Sequence, residues 1–203
     1  MPEDTSLLAA YPSLWRSKEW ASRPALSDAK GETRLSYGEL YNRVSDMAGK
    51  LRHAGVKPQQ LVALSMERSI DNVIALLGIM AAGACPCPLE PRLTPAEIHD
   101  RLQAVGVDTV LVDAANEAGV APTGGLRILR VDTLAAAEAY WSEKIQAQDP
   151  GLLLFTSGST GRPKGVLLSH KGLLNNAQGV IPLTELNQHD KLLHVMPLYH
   201  TNG

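Results

Sequence analysis

Aromatic side chains are scarce in this chain, with one Phe, five Tyr and three Trp among 203 residues. Its core must therefore be mostly aliphatic. Cysteine is scarcer still: Cys85 and Cys87, in "GACPCPLEP", are the only two. Two thiols make no tetrahedral metal site, and no histidine stands near them in sequence to complete one. They are expected to be small buried residues at a strand end, to point to opposite faces, and to stay unbonded and without chemistry. An excess of positive charge is also lacking. Nineteen Lys and Arg against 21 Asp and Glu leave a formal charge of −2, which gives no global electrostatic case for nucleic acid. No apolar run approaches 18 residues, so no integral membrane segment is expected. The first residues, "MPEDTSLLAAYPSLW", begin acidic and lack the basic region and apolar core of a signal peptide, which predicts a soluble, cytoplasmic protein.

What remains is an ordinary globular composition, 44% hydrophobic and 20% charged, long enough for one or two domains. An N-terminal helix is predicted within residues 5–20, and two short strands at "PALSD" and "TRLSY" around a turn at Lys30–Gly31. From Ser36, "SYGELYNRVSDMAGKLRHAGV" predicts a helix. Ser36 and Glu39 fit a capping box, Leu40, Val44, Met47 and Leu51 form one stripe, and Gly55 supplies the stop. "LVALSM" predicts a strand, "SIDNVIALLGIMAAG" a buried helix and "ACPCPL" an extended segment. "TPAEIHDRLQAVG" carries Thr94 as N-cap, Pro95 at the first helical position and Gly106 at its end. "TVLVD" and "LRILRV" predict strands, "TLAAAEAYW" (133–141) a short helix, and Ala114–Gly125 a loose connector. Strands and helices alternate with short links, and several strands lack in/out alternation. The fold class is therefore α/β, a mainly parallel sheet flanked by helices in layers, forming one domain or part of one.

The chemistry concentrates in "LLLFTSGSTGRPKGVLLSH", residues 152–170, where two apolar runs are separated by a small, hydroxylated, basic insert. Within Thr156–Gly165 stand four side-chain hydroxyls, three glycines and two cations. Glycines let backbone N–H groups line a concavity, hydroxyls add donors, and Arg162 and Lys164 add charge, a combination that suits phosphate. No acidic residue occurs between Asp149 and Glu185, where average composition would place about three or four. The nucleoside-triphosphate loop G-x-x-x-x-G-K-[ST] does not fit, because Lys164 lies between Pro163 and Gly165 and the chain continues into a strand. A helix-terminus anion site is not offered either. A polar hairpin turn between two strands is the alternative at this point.

The same stretch resembles the phosphate-binding signature of the acyl-adenylate-forming superfamily, which includes acyl-CoA synthetases, peptide-synthetase adenylation domains and luciferases. "LSYGEL" (35–40) resembles that family's first core motif and "GIMAAGACPCPLEPRLTPAEI" (78–98) its second. "MPLYHTNG" (196–203) is similar to the Pro-Leu-aromatic-His segment of the acyl-CoA synthetase branch. The resemblance covers nearly the whole chain and implies the N-terminal part of the large domain of an acyl-CoA synthetase-like fold. It implies that Thr156, Ser157, Gly158, Ser159, Thr160 and Gly161 grip the β- and γ-phosphates of ATP, and that Lys164 supports the loop or the phosphates. Tyr199 and His200 would lie by the carboxylate and acyl pocket. His200 becomes the catalytic candidate, orienting the carboxylate or gating the acyl channel. His170 reads as a surface residue that starts a helix; His53, His99, His189 and His194 carry no assignment.

The implied chemistry has two halves. A small-molecule carboxylic acid attacks the α-phosphate of Mg-ATP to give an acyl-adenylate and pyrophosphate, and coenzyme A then displaces AMP. ATP, Mg2+ and coenzyme A are thus the implied cofactors and substrates, with no metal ligand assigned within these residues. The family's later motifs and its mobile C-terminal domain have no counterpart before Gly203, so residues 1–203 are expected to be an N-terminal portion, inactive in adenylation alone. Two further readings stay open. A non-catalytic module that binds phosphate or a complementary chain predicts a stable protein without exposed apolar surface. A peptide-synthetase adenylation domain would carry an Asp in the fourth segment, where "PLYHTNG" has no acid.

Overall fold

The computed structural model describes residues 6, 8, 11–120, 125–156 and 164–200. Its centre is a four-stranded parallel sheet of β3 (Leu61–Ser65), β4 (Cys85–Pro88), β5 (Thr109–Val112) and β6 (Arg127–Arg130), in the order β4-β3-β5-β6. Leu61 pairs with Cys85, Val62 with Thr109, and Thr109 with Arg127. The inner strands β3 and β5 are almost wholly apolar because both faces are covered, whereas the edge strand β6 begins and ends with arginine. Val62, Leu64 and Leu111 join the larger core with α2 (Tyr37–His53) and α3 (Ile70–Ala81), whereas Ala63, Val110 and Val112 join a second core with α4 (Pro95–Val105). The predicted α/β layered class is the one observed.

Local signals place the helices. Ser36 Oγ accepts from the Glu39 N–H while Glu39 returns a bond to the Ser36 N–H at 2.8 Å, so the predicted capping box forms. Thr94 and Glu97 build a second one. Gly106 ends α4 at φ 70°, a left-handed conformation that glycine adopts without strain. Leu40, Val44 and Leu51 are buried on the core face of α2, with Met47 packed at its margin. The N-terminal helix is shorter than expected, α1 spanning Tyr11–Trp15, and it is followed by the antiparallel pair β1 (Pro24–Ser27) and β2 (Arg34–Ser36). The few aromatics gather here: Trp15 lies 6.0 Å from Trp141, and Tyr41 stacks on Trp141 at 5.4 Å, between ring centres. Within the expected connector, Glu117–Val120 form a helical turn, α5, with Val120 fully buried.

Two expectations fail. Residues 133–141 are not a helix. The segment crosses the outer side of α2 and α3, where the Tyr140 N–H donates to Ser45 O at 2.9 Å and the Ser142 N–H to Ala81 O at 2.8 Å. A Cβ at Gly49 would stand 2.0 Å from Glu138 O, so only glycine admits this crossing. External backbone partners and apolar contacts by Leu134, Tyr140 and Trp141 outweigh the helical propensity of Ala and Glu. The two cysteines also do not face apart. With Pro86 alone between them they share one face of β4, and both pack against Leu153 while remaining free thiols. Burial pushes the Cys85 thiol up to about 12 and raises Cys87 as well, which keeps both protonated.

Candidate functional site

Leu153 belongs to β7 (Pro150–Thr156), which pairs antiparallel with β8 (Lys164–Ser169) and packs beside β4. The first strand flanking the predicted phosphate loop is thus seated on the parallel sheet through an apolar seam, and β8 is carried by its pairing with β7. The last pair of the hairpin is Thr156 with Lys164. Thr156 Oγ1 donates to Lys164 O at 3.5 Å, and the Lys164 side chain is exposed. Ser157, Gly158, Ser159, Thr160 and Gly161 lie outside the described residues.

The open end of the hairpin is tied down by its own backbone. The His170 N–H donates to Asp149 O at 3.1 Å and the Lys171 N–H to Ala147 O at 2.8 Å. Gln59 Nε2 donates to the Asp149 carboxylate at 2.8 Å. Ser169 caps α6 (His170–Thr184) by accepting from the Gly172 N–H at 3.1 Å. His170 does start that helix, but it is not a surface residue. Its side chain is 1% exposed, because Gly151 leaves room for the first turn of α6 directly on β7. Nδ1 of His170 has no hydrogen-bond partner among the described residues. Burial holds the imidazole below its usual pKa, with Asp149 pulling the other way.

The second cluster lies at the carboxyl ends of β3 and β4, the edge at which open α/β sheets bind ligands. A cavity of about 130 Å³ is lined there by Leu64, Met66 and Arg68 from the end of β3, by Pro88 and Leu89 from β4, and by Leu198 and Tyr199, among others. Tyr199 is half-buried in this lining. His200 is exposed and outside the lining, its N–H donating to Pro197 O at 3.1 Å. The segment carrying both is held by Arg68, whose Nη1 donates to Val195 O at 2.9 Å and whose Nη2 donates to His194 O. Nη2 also lies 3.2 Å from His194 Nδ1. Asn72 fixes the turn from which Arg68 projects, donating from Nδ2 to Met66 O at 2.9 Å and to Glu67 O at 3.2 Å. Sequence reasoning missed both residues. Arg68 stands in an unremarkable "MERS", and its partners follow 126 and 127 residues later.

A hydroxyl and an ammonium bracket the loop, and neither flanking strand carries a carboxylate. Among the described residues no group of three or more His, Cys, Asp or Glu is placed to hold a metal ion. Nor, among them, is any helix long and apolar enough to cross a membrane.

Known proteins agree with this arrangement. The model of a family described as AMP-binding enzyme matches residues 14–203. Pyochelin synthetase PchE of Pseudomonas aeruginosa is 35% identical over 168 residues, which span 82% of this chain and 11% of PchE. A 4-chlorobenzoate–CoA ligase of an Arthrobacter species is 28% identical over 208 residues, covering 93% of this chain and 38% of the ligase. The crystal structure of ATP-bound MatB from Rhodopseudomonas palustris superposes with a TM-score of 0.83 at 28% identity, over 96% of this chain and 41% of MatB. The chain therefore spans well under half the length of each. By its match over residues 14–203, the chain belongs to the AMP-binding enzyme family.

Proposed function

We propose that these residues serve an ATP-dependent carboxylic acid–CoA ligase, as the N-terminal portion of its large domain. The observation that carries this reading is the lining of the cavity beside Tyr199. It offers Arg68, Asn72 and apolar side chains, and no carboxylate. An apolar acyl group is accommodated there, whereas a substrate ammonium group finds no counter-ion among the lining residues. Thr156, Ser157, Gly158, Ser159, Thr160, Gly161 and Lys164 hold the β- and γ-phosphates of ATP. Their hydroxyl, backbone and ammonium donors spread the charge of the departing pyrophosphate as the acid attacks the α-phosphate in line. Coenzyme A's thiol then displaces AMP from the acyl-adenylate. Tyr199 walls the acyl site, and His200, at its rim, orients the carboxylate or gates entry. Magnesium would accompany ATP, with no ligand assigned to it among these residues.

Peptide-synthetase adenylation is the second reading, favoured by the similarity to PchE. It is disfavoured by the absence of an acid in "PLYHTNG". A self-contained, non-catalytic module is disfavoured by exposed apolar side chains. Leu183, Leu192 and Leu193 are 85%, 74% and 81% exposed, more than such a module tolerates. The test is the exchange of labelled pyrophosphate into ATP by the protein purified from its native source. Exchange is expected only when a carboxylic acid is present, and Thr160→Ala or Ser157→Ala should depress it by about tenfold or more. Undiminished exchange in both variants refutes the loop assignment.

A further inference from the structure

Arg68 is unusual among the charged residues of this chain in what its guanidinium holds. Among the described residues no carboxylate lies within ion-pair distance of it. Its two terminal nitrogens are spent instead on the main chain of His194 and Val195, with the His194 ring beside them. The segment they hold has little else of its own. Residues 191–196 form neither helix nor strand, and Leu192, Leu193 and Val195 project into solvent. The launching turn is the opposite case. Besides the two bonds from Asn72, the Glu67 N–H donates to the Asp113 carboxylate at 2.8 Å, and Ser69 caps α3 by accepting from the Asn72 N–H at 3.1 Å. A rigid anchor thus reaches out to an otherwise loosely attached strap.

We propose that Arg68 is a positioning residue for the acyl site: by pinning His194–Val195 to the end of β3 it sets Leu198 and Tyr199 as one wall of the cavity. This rests on the ligase reading for the identity of the occupant, a carboxylic acid, but not for the clamp itself. The two bonds leave from two nitrogens held in a fixed fork, which guanidinium supplies, whereas an ammonium would have to reach both carbonyls from a single nitrogen. Arg68→Lys therefore keeps the charge and loses most of the clamp, and Arg68→Met keeps only the stem.

Limited proteolysis of the whole chain reads the clamp, because a protease must draw the strap into its own site before it cuts at Lys191, Leu192 or Leu193. Arg68→Met should speed cleavage within 191–196 by about tenfold or more, each charge-assisted bond being equivalent to at least one decade. Arg68→Lys should fall between it and the wild type, while β3 and α3 stay uncut. Unchanged cleavage within 191–196 overturns the proposal, and so does faster cleavage spread equally over β3 and α3, which marks a merely structural role. In the pyrophosphate-exchange assay, Arg68→Met should raise KM for the carboxylic acid by about tenfold and leave KM for ATP unchanged. Equal loss for both substrates overturns the link to the acyl site. If the wild type exchanges pyrophosphate with no acid at all, the ligase reading fails, and so does the assignment of the cavity to an acid; limited proteolysis then still decides whether Arg68 holds the strap.

Discussion

Leu153→Ala strikes the seam between the loop-bearing hairpin and the parallel sheet. Leu153 is 4% exposed and packs on Cys85 and Cys87, with Leu61, Val105 and Phe155 around them. Truncating a buried leucine costs about 2–5 kcal/mol, depending on how far the site collapses. The two thiols report the event without an added probe. At about pH 8, a thiol raised to about 12 is ionised to about one part in 10⁴, against about one part in ten for the ordinary value of 9.0. Thiolate is the attacking species, so ionisation alone slows labelling by an aromatic disulfide reagent about a thousandfold, before any shielding. Both cysteines of the wild type should therefore label only as fast as the seam opens. The variant should label at least about thirtyfold faster, the equivalent of 2 kcal/mol. Urea unfolding gives the matching stability loss on the same samples. Rapid labelling of the native wild type, or a variant that loses stability with no gain in labelling, would refute the packing of the hairpin against β4.

Two further perturbations test the elements around that seam. Gly49→Ala should destabilise the protein by about 1–3 kcal/mol in urea unfolding, because the new methyl meets the Glu138 carbonyl, even though alanine is the better helix former; a gain in stability would show that residues 133–141 do not cross α2 there. His170 should make stability fall with acidity. Its folded pKa is lowered by burial, so the unfolded chain takes up the proton first, and its contribution is fully present above about 6.5 and is lost as pH falls toward the folded value. The carboxylates held low by hydrogen bonds, Asp28, Glu39 and Glu97 by backbone N–H groups and Asp132 by Arg130, act only below about pH 5, so the windows separate. His170→Phe should flatten the slope between about pH 7 and about pH 5; an unchanged slope would contradict the buried neutral ring.

Features decided within a few residues were legible in the sequence. Ser36 with Glu39, Thr94 with Glu97, and Gly106 mark helix ends through bonds made to near neighbours, so they can be read without knowing the fold. Residues 133–141 could not be read in the same way. Their backbone partners, Ser45 and Ala81, are set by tertiary packing, which overrides an alanine-rich helical preference. In the sequence His170 reads as a surface residue because nothing local announces that α6 begins against Gly151. The orientation of Cys85 and Cys87 follows from the two-residue period of a strand, which places them on one face. At the site, composition alone pointed to the hydroxyl- and glycine-rich loop, whereas Arg68 left no trace. Its role depends on a partner more than a hundred residues away, and a lone arginine after a strand carries no signal.

The central claim, that the chain serves activation of a simple carboxylic acid, is tested most directly by one comparison. Pyrophosphate exchange into ATP is measured with pairs of acids that differ only by an α-amino group, using the protein from its native source. The carboxylate-free lining beside Tyr199 predicts exchange with the acid that lacks the amine and little with its amino-acid partner. Exchange supported by amino acids alone would contradict the ligase reading and assign the chain to peptide-synthetase adenylation instead.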